Sequence, residues 1–80
     1  MGAMLKGTKM VHYTIIAKKI IVEDTAYTTY GIDCVENGKS IERIDDISTR
    51  KEDVERTADL FNKNHLDPKQ FKEAVEDSII

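Results

Sequence analysis

The sequence predicts a small α+β domain, a three-stranded antiparallel β-meander followed by two α-helices packed on one of its faces, in the order βββαα. Three observations carry this. Residues 11 to 45 are rich in β-branched and aromatic residues at two-residue spacing, an Asn-Gly pair at 37–38 marks a tight reversal within them, and from Ser48 the apolar period becomes helical.

"VHYTIIAKKIIVE", residues 11 to 23, lacks Gly and Pro and reads as the first strand. Its alternation does not stay in phase. Val11, Tyr13, Ile15 and Ala17 share one face, whereas Ile20 and Val22 share the other. One extra residue around Lys18-Lys19 would realign them, which predicts a bulge or sharp bend there. "EDT" follows as a turn.

Residues 26 to 36 form the second strand, with Thr28, Tyr30, Ile32 and Cys34 on the core face. Tyr27, Thr29, Gly31, Asp33 and Val35 point the other way, and Gly31 beside an aromatic predicts a bulge or a close backbone approach. "ENGK" is a hairpin signal, because Asn and Gly tolerate the positive φ of tight turns. A two-residue loop sets Cys34 against Ile41; a three-residue bulged loop sets it against Ser40. Residues 39 to 45 return as the third strand.

The first helix is capped by Ser48 or Thr49, and Thr49 with Glu52 matches the capping box. Val54, Ala58 and Phe61 form its buried stripe, widened by Leu60. Glu52–Arg56 and Asp59–Lys63 suit i,i+4 pairing on the wet side, and Asn64 suits a left-handed end. The second helix takes Asp67 as cap, Pro68 at its first position, Gln70 to complete the box, and Leu66 with Phe71 as a hydrophobic staple. Phe71, Ala74, Val75, Ser78 and Ile79 share one face.

Eighty residues allow one domain, assigned to residues 11–80. Residues 1–10, with Gly2 and Gly7 and little periodicity, read as an unstructured lead, open to being an expression-derived extension before a natural start at Met4 or Met10. The lead has no apolar region of a secretory signal, and no apolar run approaches membrane-spanning length. A single cysteine forbids an internal disulfide, so a reducing, cytoplasmic setting is expected. The lead carries +2 and residues 11–80 about −5, which argues against direct nucleic-acid binding.

No phosphate loop, paired-cysteine zinc spacing or His-Glu-x-x-His occurs, so no catalytic, cofactor-binding or metal site and no cofactor are expected. Cys34 could act as a nucleophile with His12 or His65 as base, yet it alternates with core residues and neighbours Asp33 and Glu36, which oppose a thiolate. A packing cysteine is the expectation. His65 with Asp67 is too small a ligand set for a metal. The candidate protein contacts are two groups. Tyr27, Thr29, Asp33 and Val35 occupy the sheet face that the helices would leave bare. Asp45, Asp46, Glu52, Glu55 and Asp59 lie in the densest acidic region, which also holds Asp53.

"YTTYGI", a short hairpin, "I..I.DIS", a helix ending in "FN", then "LDP" and an acidic last helix resemble a small bacterial protein family of unknown function, over residues 12 to 78. That resemblance implies no activity and no functional residues. The element order alone is also similar to that of small acidic phage inhibitors of CRISPR nucleases. The expected function is a non-catalytic, cytoplasmic protein-binding or regulatory module whose partner is another protein or itself, through the unpaired third-strand edge at residues 40 to 45. The alternative is an acidic anti-CRISPR-like inhibitor or nucleic-acid mimic that blocks a basic groove.

Overall fold

The computed structural model describes residues 10–79, without the side chain of Ile79. The expected lead therefore lies, apart from Met10, outside the described residues. Strands β1 (Val11–Val22), β2 (Thr25–Glu36) and β3 (Lys39–Ser48) form one antiparallel sheet in the order β1-β2-β3. Helix α1 (Lys51–Lys63) follows, and a 3₁₀ turn at Pro68–Gln70 leads into helix α2 (Phe71–Ile79). This is the predicted βββαα meander.

The core lies between the helices and the sheet face that carries Tyr13, Ile32 and Cys34. Val54, Ala58 and Phe61 of α1 and Phe71 and Val75 of α2 close it. Its centre is an aromatic trio. Tyr13 meets Phe61 at 5.4 Å and Phe71 at 5.3 Å between ring centroids, and the two phenylalanines meet edge to face. The Tyr13 hydroxyl does not waste its burial, because it donates to the Leu66 carbonyl at 2.7 Å.

Both hairpins are two-residue loops with positive φ at both positions, Glu23-Asp24 and Asn37-Gly38. That is the reversal whose twist matches the flanking strands. The β1–β2 register then runs without interruption from Val11↔Glu36 to Val22↔Thr25. The bulge expected at Lys18-Lys19 is absent. The phase change has another cause: past Ala17 the hairpin runs beyond the helices, so neither face there is tied to the core.

The irregularities fall instead on β3. One extra residue follows the hairpin, so that Val35 pairs with Ser40 but Cys34 pairs with Glu42. Cys34 thus faces neither Ile41 nor Ser40. A wider interruption separates Ile32↔Ile44 from Tyr30↔Ser48, with Asp46 at positive φ within it.

The helix ends also differ from expectation. Arg50, not Ser48 or Thr49, is the N-cap residue of α1, and it makes no side-chain cap bond; Ser48 Oγ accepts from the Arg50 amide at 3.0 Å. Asn64 is not left-handed. His65 is, and the amides of His65 and Leu66 bond back to the carbonyls of Asn62 and Phe61 as a Schellman end. Asp67 is a cap residue as predicted, accepting from the Lys69 amide at 2.9 Å, but it and Pro68 open the 3₁₀ turn and not α2, which starts at Phe71. On the surface, Asp53 pairs with Arg50 and Arg56, in place of the expected Glu52–Arg56 contact. Leu60 and Ser78 are exposed and not part of the helical stripes.

Candidate functional site

The molecule measures 57 × 22 × 18 Å, with a radius of gyration of 14.7 Å. A compact chain of this size would have about 11–12 Å. The excess length has a cause in the topology. β3 pairs with β2 only from Tyr30 to Glu36, while β1 and β2 continue together to the Glu23-Asp24 turn. Residues 18–29 thus form a two-stranded arm that projects past β3.

The arm is apolar on both faces. Continuous alternation puts Ile20, Val22 and Tyr27 on one face and Ile21 and Ala26 on the other. Ile21 is 73% exposed, Val22 49% and Tyr27 47%. A bare two-stranded ribbon is marginal in water, so such an arm gains most from a neighbour.

Its edges differ from the rest of the sheet. At the base of β1 the Asn62 side chain plays the part of a missing strand: its Oδ1 accepts from the Tyr13 amide at 2.7 Å and its Nδ2 donates to the Tyr13 carbonyl at 2.8 Å. Met10 pairs with Asn37 across the hairpin, so the even residues of β1 bond to β2 and the odd ones face outward. Ala17, Lys19 and Ile21 accordingly present their amides and carbonyls to the open side of the arm. β3, the opposite edge, is broken by its two irregularities, a common way to blunt an edge. The third-strand edge expected to self-associate is the less regular of the two.

The second face of the sheet, expected to be bare, is partly roofed by β3 itself. Thr29 is 0% exposed, and its Oγ1 donates to Asp46 Oδ1 at 2.6 Å. A Cβ on Gly31 would strike the Ile44 carbonyl oxygen and stand 2.9 Å from the Asp45 Cα. Asp33 is buried and accepts a short hydrogen bond from Ser40 Oγ. Val35 is half-buried. Of the four sheet residues named as contacts, Thr29 and Asp33 are therefore internal, Val35 is only partly accessible, and Tyr27 on the arm is open. At Thr29 the physical reason is the wide interruption in β3, which brings residues 44–46 against β2; at Asp33 it is Ser40, beside the first irregularity.

The acidic residues are exposed but do not converge. Asp45 and Asp46 border Lys72 and Glu76 of α2 on the β3 side. Glu55 and Asp59 of α1 flank Tyr13, Thr14 and Ile15 on the β1 side, and Glu52 lies in the first turn of α1. Cys34 is 0% exposed at the centre of the core, and burial pushes its thiol up from the ordinary value. Burial likewise raises the Tyr13 phenol. Both groups face each other across β1 and β2. Among the described residues no helix is long and apolar enough to cross a membrane.

Sequence reasoning missed Lys18, Lys19, Ile20, Ile21 and Val22 as surface. The signal was present in the phase change of "AKKIIVE", which marks a strand apolar on both faces. No curated protein and no solved structure matches the chain. Residues 5–80 match the family model described as a family of unknown function (DUF6514), and the chain belongs to that family.

Proposed function

We propose that this chain is a non-catalytic protein-binding module that acts in a bacterial cytoplasm through the β1–β2 arm. One observation carries the reading: a projecting ribbon with an open edge exposes Ile21, Val22 and Tyr27 on its two faces. Strand addition to an open edge gives affinity through main-chain bonds, and the side chains on either face supply selectivity. The buried Cys34 supports a packing role over a catalytic one. The cytoplasmic setting rests on the single cysteine, and the bacterial one on the family resemblance of "YTTYGI" and "LDP". The split of the acidic groups between two sides of the sheet gives the groove-blocking alternative no comparable support.

The test is chemical crosslinking and affinity capture with the full chain and with an Ile21→Thr, Val22→Thr, Tyr27→Thr variant. Threonine keeps strand propensity, so the variant folds and melts within about 1 kcal/mol of the parent. The reading predicts that bound proteins, including a second copy of the chain, are lost with the variant. An unchanged set of bound proteins contradicts it.

A further inference from the structure

The arm carries a charge order that fits its own reverse. Residues 18 to 24 read "KKIIVED": two cations, three apolar residues, two anions. Only the odd residues of β1 can bond outward, so an antiparallel neighbour must match odd positions with odd ones. For two copies related by a two-fold axis at Ile21, that condition holds, with Ile21 against Ile21. Ile20 then faces Val22 within the strands, and Lys19 and Lys18 lie across from the turn residues Glu23 and Asp24 at the partner copy's tip. A register slid two residues further in sets the lysines against Ile21 and Val22, and one slid four residues further in sets Lys19 against Lys19. Only the register centred on Ile21 gives every charge its opposite.

Two further features agree. Asn62 closes the β1 edge at Tyr13, which leaves the stretch toward the tip as its open part. Glu23 and Asp24 hold positive φ at 51° and 67°, a conformation that Asn-Gly, used at the other hairpin, adopts without strain. The acids stand at the tip despite that strain, at the end of the arm that this register brings beside the lysines of a second copy. The bodies of the two molecules lie at opposite ends of such a pair, so the arms can overlap without collision.

We propose that the chain pairs with a second copy of itself, β1 edge to β1 edge and antiparallel about Ile21, to make a four-stranded ribbon of two arms. This rests on the arm being the contact surface, and it names the partner. The overlap is short and its ion pairs are exposed, so the dimer is weak and salt-sensitive.

Sedimentation of the full chain tests it, with two charge-reversed variants, K18E/K19E and E23K/D24K, all at exposed positions. The parent dimerises as concentration approaches roughly 1 mM, and each variant alone dimerises at least about tenfold more weakly. An equimolar mixture of the two regains the dimer, as does the fourfold variant K18E/K19E/E23K/D24K. That recovery excludes misfolding as the cause of the loss. A parent that stays monomeric at roughly 1 mM overturns the pairing, and so does a dimer indifferent to the reversals or a mixture that stays monomeric. If the parent is monomeric yet the threonine variant still loses its captured proteins, self-pairing fails and the contact-surface reading stands; if capture is also unchanged, both fail.

Discussion

Gly31 shows how one residue shapes the surface of this sheet. Its φ is ordinary, and what it supplies is absence: β3 backbone occupies the space where a Cβ would stand. Backbone cannot step aside as a flexible side chain can, so Gly31→Ala is expected to cost on the order of 3 kcal/mol in urea unfolding. Asn62 makes the converse contribution, since its amide satisfies both main-chain groups of Tyr13. Asn62→Ala is expected to cost about 1–2 kcal/mol. Asn62→Asp should cost at least as much, because a carboxylate cannot donate to the Tyr13 carbonyl. Cys34 and Tyr13 set the alkaline limit. Both are raised above their ordinary values of 9.0 and 10.0 by burial. The unfolded chain therefore releases these protons first, and stability falls as pH rises past about 9, by at most about 1.4 kcal/mol per pH unit for each group. Denaturant titrations from pH 7 to 11 should show this fall, less steep in Cys34→Ala. The close approach at Gly31 and the burial of Cys34 were legible in the sequence, because both follow from alternation beside an aromatic. The burial of Thr29 was not, since it depends on how a neighbouring strand folds over it.

Among the elements, the two hairpin turns make an instructive pair. Asn37-Gly38 is written plainly in the sequence, and Glu23-Asp24 adopts the same two-residue geometry with residues that resist it. Replacing Glu23-Asp24 by Asn-Gly should raise the stability of the dilute chain by about 1–2 kcal/mol. The same change removes the acids from the arm tip, so stability and self-association should move in opposite directions. Calorimetry at low concentration and sedimentation at high concentration read the two separately. Strand and helix identities were legible from period and composition. The irregularities were misplaced, to Lys18-Lys19 and not to β3, because phase in a sequence reports where apolar residues lie and not what covers them. "AKKIIVE" changes phase where coverage by the helices ends. At the first helix, Thr49 and Glu52 fit the capping pattern, but the chain enters one residue later through Arg50.

At the scale of the whole molecule, a small core holds the base of a sheet whose arm extends freely. The core closes around Tyr13, Phe61 and Phe71, while the arm beyond Thr29 has only its own hairpin bonds. The order of elements and the identity of the core could be read from the sequence. The projecting arm could not, because it follows from the unequal lengths over which β3 and β1 pair with β2. The central claim is that the outward edge of this arm is a contact surface, and amide exchange followed by NMR reads it residue by residue. In dilute solution the amides of Lys18 and Ile20, bonded to β2, should exchange more slowly than those of Lys19 and Ile21. At high concentration Lys19 and Ile21 should become protected, while Ala26 and Thr28 on the other edge of the arm remain unchanged. Exchange at Lys19 and Ile21 that is equally fast at every concentration, and with every captured protein bound, would contradict the account.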